Sequence, residues 1–126
     1  MKAIQLKIQE LITLSRKPAS GWDELEAKIK AQDALIEELK LMARTHKTFI
    51  GRTLKFPMAD SYALYVITAM LKTKVHVQWL DYCDGWQDRR LGDSGTLDLK
   101  YARSVLDFED YMEDFLDSKQ KQKQQS

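Results

Sequence analysis

The sequence predicts an α+β fold: an oligomerising N-terminal helical hairpin, a small twisted antiparallel β-sheet or partly closed barrel, and a short C-terminal helix. Three observations carry this. Apolar residues recur every three or four positions up to about residue 48 and every second position from Phe49. Pro18 and Gly21 sit together, and no further glycine or proline follows until Gly51 and Pro57. Finally, six acids and no base occupy residues 106–117, setting a last amphipathic segment apart.

The first helix is expected over Lys2 to Ser15, where Ile4, Ile8, Leu11 and Ser15 recur at helical spacing and Leu6, Ile12 and Leu14 widen the stripe. After the Arg16-Lys17-Pro18-Ala19 break, Ser20 offers an N-cap, and Asp23 and Glu24 suit the positive end of a second helix. That helix carries Trp22, Leu25, Ile29, Gln32, Ile36, Leu39 and Ala43 in alternating steps of three and four, a seam of three heptads. A 14-residue neighbour cannot cover such a seam. Part of it is therefore expected to pack on another protomer or on the β region, with Gln32 fixing register.

Strands are expected where the period falls to two. Ile50, Leu54 and Phe56 share a face with Arg52 between them; Ser61 to Thr68 is rich in β-favouring residues; Val75, Val77 and Trp79 alternate with His76 and Gln78. Lys72-Thr73-Lys74 connects the last two. Asp84-Gly85 signals a turn, Gly92-Asp93-Ser94-Gly95 a loop, and Thr96 to Leu99 a further short strand. Near the end, Phe108, Tyr111, Met112 and Phe115 form an apolar stripe, with Asp107, Glu109, Asp110, Glu113 and Asp114 as the expected outer face of a helix capping the sheet. Lys119 to Ser126 offers nothing apolar to bury and is expected to be disordered. The boundaries are therefore 1–48 for the hairpin, 49–117 for a β-rich ligand-binding unit with its helix, and 118–126 for the tail.

The length of 126 residues suits one core, and a formal net charge of +1 disfavours duplex nucleic acid, which calls for a clearly basic surface. No apolar run reaches the roughly 18 residues of a membrane span, and polar residues interrupt the N-terminus where a signal peptide would be apolar, so a cytoplasmic protein is expected. One cysteine excludes an internal disulfide framework, and His46 and His76 with Cys83 are too few for a structural zinc site. No phosphate-binding, dinucleotide-binding, zincin or serine-hydrolase motif occurs. Cys83 lies between Asp81-Tyr82 and Asp84, whose charges would raise a thiol pKa, and the spacing of Asp81, Asp84, Asp88 and Asp93 fits no calcium loop. No catalytic residue, metal or cofactor is expected, and the protein is read as a non-enzyme.

Trp79 to Gly95 is the informative stretch. It sets Trp79, Tyr82 and Trp86 beside Arg89 and Arg90 and ends in a glycine-rich loop closed by Gly95. Aromatic faces stack on bases, guanidinium groups pair bidentately with phosphate, and a glycine-rich turn presents N–H donors. Arg52, on a mostly apolar strand face, and Arg103 would add positive charge to the same pocket, since a buried arginine needs an anionic partner. The same residues equally suit a structural role, with Trp79 in the core and Asp88 in a surface ion pair with Arg89 or Arg90.

Gly51 to Ile67, Trp79 to Trp86 and Asp88 to Ala102 resemble a widespread group of small phage and bacterial proteins, and a helical hairpin followed by a small sheet resembles the phage anti-Thoeris sponge family. The resemblance implies sequestration, without cleavage, of a cyclic ADP-ribose-type messenger in the host bacterial cytoplasm, with oligomers formed through the N-terminal helices. It also implies that Trp86 and Tyr82 stack on adenine while Arg103, Arg89 and Arg90 hold phosphates. The chain contains no asparagine, so any family contact made by that residue must be replaced here. Two other readings stand beside it. One is an anti-CRISPR-like or other protein-interaction inhibitor using the acidic helix; the other is a small-barrel binder of single-stranded nucleic acid.

Overall fold

The computed structural model describes residues 2–58, 61–81 and 94–124, with side chains for 2–55, 63–81 and 94–119. Helices α1 (Lys2–Ser15) and α2 (Trp22–Thr45) precede strands β1 (Thr53–Met58), β2 (Ser61–Met70), β3 (Lys74–Leu80) and β4 (Ser94–Asp98), and α3 (Leu99–Gln124) follows. The architecture is α+β, as the change of period predicts.

The strands form one antiparallel sheet in the order β1-β2-β3-β4, with β1 and β4 at its edges. It is open, so the barrel alternative is corrected. Alternation along β2 decides what covers each face. Leu64 and Val66, with Leu80 of β3, pack under Ile4, Ile8, Leu11 and Ile12 of α1 and Leu39 of α2. Ala63, Tyr65 and Ile67, with Leu54, Val75 and Val77, pack under Ala102 and Leu106 of α3. Each face of the sheet therefore carries helix. In β2 the register shifts between Ile67 and Ala69, a bulge after which Met70 still pairs with Val75.

Helix α1 has the expected bounds, Lys2–Ser15, but other details of the hairpin differ. Gly21, with φ of 110°, occupies the N-cap of α2 in place of Ser20. Ser20 instead donates its backbone N–H and its hydroxyl to Glu24 at 2.8 and 2.9 Å, which holds that carboxyl below its usual range. Along the long seam, Gln32, Leu39 and Ala43 are buried within one chain, while Trp22 is exposed. Gln32 bonds through Nε2 to the Lys28 carbonyl.

Helix α2 ends in a Schellman motif. Thr48 N–H bonds to the Ala43 carbonyl and Lys47 N–H to that of Arg44, with Lys47 left-handed at φ 52°. The chain then turns through Gly51, at φ 95°, whose hydrogen faces Ile4 and Leu39; a Cβ there would lie 3.3 Å from both side chains. Gly51 N–H donates to the Ile67 carbonyl and Ile67 N–H to that of Arg52, so the turn extends the sheet edge and fixes Arg52.

Helix α3 is much longer than the short helix predicted. It begins at Leu99, whose N–H is held by the Thr73 carbonyl in the β2–β3 turn, and continues to Gln124, through residues expected to be a disordered tail. Gly95 lies in β4 opposite Val77, not in a loop.

Candidate functional site

The position of α3 follows from its first two turns. Ala102 and Leu106, one helical turn apart, are fully buried against the sheet. At 3.6 residues per turn, that phase directs Asp110 and Glu113 inward further along. The inward stripe therefore changes chemistry halfway, from apolar to acidic.

Three cations meet those acids. Arg52, only 4% exposed, approaches Asp110 bidentately, with Nη2 2.8 Å from Oδ1 and Nη1 3.4 Å from Oδ2. Arg44 of α2 places Nη2 2.7 Å from the same Oδ1 and 3.2 Å from Glu113 Oε2. Lys40, one turn earlier, reaches Glu113 Oε2 at 2.7 Å and Glu37 at 3.4 Å. Cations and carboxylates thus alternate in a clasp tying α3 to the end of α2 and to the sheet edge.

The titration behaviour follows from this geometry. Partial burial opposes the charge on Asp110, but hydrogen bonds from Arg52 and Arg44 and their charges outweigh it and hold the carboxyl below its usual range. The bond from Lys40 does most to lower Glu113, against a smaller effect of burial. Burial likewise opposes the ammonium of Lys40, yet the Glu113 bond and the charge of Glu37 leave its pKa raised. Arg44 is raised chiefly by its bond to Asp110.

With Asp110 and Glu113 turned inward, the apolar stripe faces solvent. Phe108, Tyr111, Met112, Phe115 and Leu116 are 37 to 66% exposed. The helix caps the sheet as expected, but through Ala102 and Leu106, which corrects the expectation that Asp110 and Glu113 belong to its outer face. Tyr111 and Phe115 stack with ring centroids 6.4 Å apart and 17° between planes, and Lys119 Nζ lies 4.9 Å from the Phe115 centroid.

The sequence-predicted ligand residues fare differently. Tyr82, Trp86, Arg89 and Arg90 lie outside the described residues, as do Cys83, Asp84, Asp88 and Asp93. Arg52 precedes β1 instead of lying within it, and its anion is Asp110 of the same chain. Arg103, exposed on α3, lies over the Phe49 ring at 5.9 Å and has no ion pair among the described residues. Phe49 also connects the two arginines, because its carbonyl accepts the Arg52 backbone N–H at 3.0 Å. Gly95 is exposed on the edge strand β4. Two clefts, one lined by Ala19, Gly21, Trp22 and Leu25 and the other by α1 residues around Leu6 and Thr13, include none of the predicted ligand residues. Among the described residues no group of three or more His, Cys, Asp or Glu could hold a metal ion, and no helix is long and apolar enough to cross a membrane.

Sequence reasoning missed the clasp. Its signal was the step of four from Ala102 to Leu106 to Asp110, which competes with the more hydrophobic stripe through Phe108, Met112 and Phe115. No protein family, curated protein or solved structure was found to match the chain.

Proposed function

We propose that this chain is a non-enzymatic docking protein that engages a macromolecular partner through the outward face of α3. The observation supporting it is the inverted amphipathic helix: Asp110 and Glu113 are spent on Lys40, Arg44 and Arg52, and its large apolar side chains are left in solvent. Leaving that face open forgoes about 1.5–3 kcal/mol for each side chain that could be buried, an expense that a partner would recover. This reading belongs with the protein-interaction class drawn from the sequence, although the apolar side of the helix makes the contact.

Site-specific photo-crosslinking tests it. A photoreactive residue in place of Phe108, Met112 or Phe115 should give one recurring adduct in cells, and the same probe at Leu6 should not. No adduct at any α3 position would refute the reading.

A second reading, capture of a small anionic nucleotide such as a cyclic ADP-ribose-type messenger, is favoured by Arg103. Its guanidinium is open and lies beside an aromatic ring, the chemistry that holds a phosphate next to a base. Calorimetry with a cyclic ADP-ribose isomer should then show saturable binding that Arg103→Gln abolishes; no heat across such ligands would remove this reading.

A further inference from the structure

The α3 face has edges as well as a centre. At 100° per residue, Asp107 and Asp114 fall along one side of the apolar stripe and Glu109 along the other. These three carboxylates make no ion pair among the described residues, whereas Asp110 and Glu113 are neutralised by the clasp. The stripe is therefore bordered on both sides by open negative charge. At roughly 150–250 Å² for each large side chain, reduced by the exposures observed, the face offers on the order of 600 Å². Covering it from both sides would bury about 1,200 Å², the lower end of specific interfaces.

The borders discriminate between occupants. A second copy of α3 paired stripe to stripe would bring one acidic border against another, a like-charge arrangement that disfavours pairing at helix-flanking positions. A helix whose apolar stripe is edged by lysine and arginine would meet opposite charge on both sides. The stripe from Phe108 to Leu116, with Lys119 closing its end over Phe115, spans about three turns and suits a partner helix of three to four turns.

Resting on the docking reading above, we propose that the outward face of α3 receives an amphipathic helix of another protein, with an apolar stripe bordered by basic residues. The occupant is recognised by charge at the edges and by ring and methyl packing at the centre.

The test titrates the full chain into two labelled peptides of about 21 residues, both with leucine at the seam positions, one with lysine and one with glutamate at the flanking positions. The lysine peptide should bind saturably, and at least about tenfold more tightly than the glutamate peptide, with the preference shrinking as salt rises from about 50 to about 500 mM. Phe108→Ser with Phe115→Ser should abolish binding, and because both side chains are exposed the variant should keep its circular dichroism. The triple change Asp107→Lys, Glu109→Lys and Asp114→Lys should reverse the preference. Equal affinity for the two peptides would overturn the proposal. So would binding of neither peptide, or sedimentation as a dimer that Phe108→Ser dissociates. In those cases the docking reading survives if crosslinks from Phe108 and Phe115 still report a neighbour, and falls if they do not.

Discussion

Replacing Asp110 by Asn removes the charge that the nearly buried Arg52 faces while preserving shape and one acceptor oxygen. Arg52 is 4% exposed and is held by both Asp110 oxygens, so its guanidinium cannot regain water without moving α3. Breaking a fully buried pair costs about 3–5 kcal/mol, and an exposed pair is worth about 0–1 kcal/mol. Asp110 remains 34% accessible, so screening places the expected loss between these limits, at about 2–3 kcal/mol. Against a total stability of about 5–15 kcal/mol for a domain, that is a large shift. Urea unfolding followed by circular dichroism should show a lower midpoint at unchanged slope. Arg44→Gln, whose side chain is 36% exposed, should lose only about 0–1 kcal/mol. The double change Asp110→Leu with Arg52→Met removes both charges together and should return to within about 1 kcal/mol of the parent. A loss below about 0.5 kcal/mol for Asp110→Asn, or a double variant no more stable than that single one, would refute the clasp as a contact that stabilises α3 on the rest of the fold.

Acid should weaken the same contact. Asp110 and Glu113 have folded pKa values below their unfolded ones, so their contribution is present above about pH 4 and is lost as pH falls through the lowered values. Urea midpoints measured downward from neutral pH should fall less steeply in Asp110→Asn with Glu113→Gln than in the parent; parallel curves would count against it. At Gly51, alanine must adopt a left-handed backbone while its methyl meets Ile4 and Leu39 at 3.3 Å. The expected cost is about 1–3 kcal/mol, read from the same unfolding curves. Lys47→Gly, which relieves the left-handed residue closing α2, should gain about 0.5–1 kcal/mol, and thermal melting would check the sign.

Local chemistry made most of the fold legible. The two helices of the hairpin, the strand alternation of Leu64 to Ile67 and the turn between β2 and β3 follow from periodicity and breakers, because side-chain spacing sets which residues can share a face. The bounds of α3 were less accessible, since Ser94 to Leu99 suits a strand or a helix start and the polar tail gives no packing signal. The candidate site was the least legible part. Arg52 stood out in the sequence as a buried arginine needing an anion, yet its partner lies 58 residues away.

What the sequence determined by itself is that residues 106–117 can form an amphipathic helix with one acidic and one aromatic side. Which side turns inward was decided by tertiary structure. Ala102 and Leu106 set the rotation of α3 on the sheet, and Lys40, Arg44 and Arg52 meet the acids that this rotation delivers. A helix is rigid over these few turns, so burying its first two turns commits the remainder, and the aromatic side is left facing solvent.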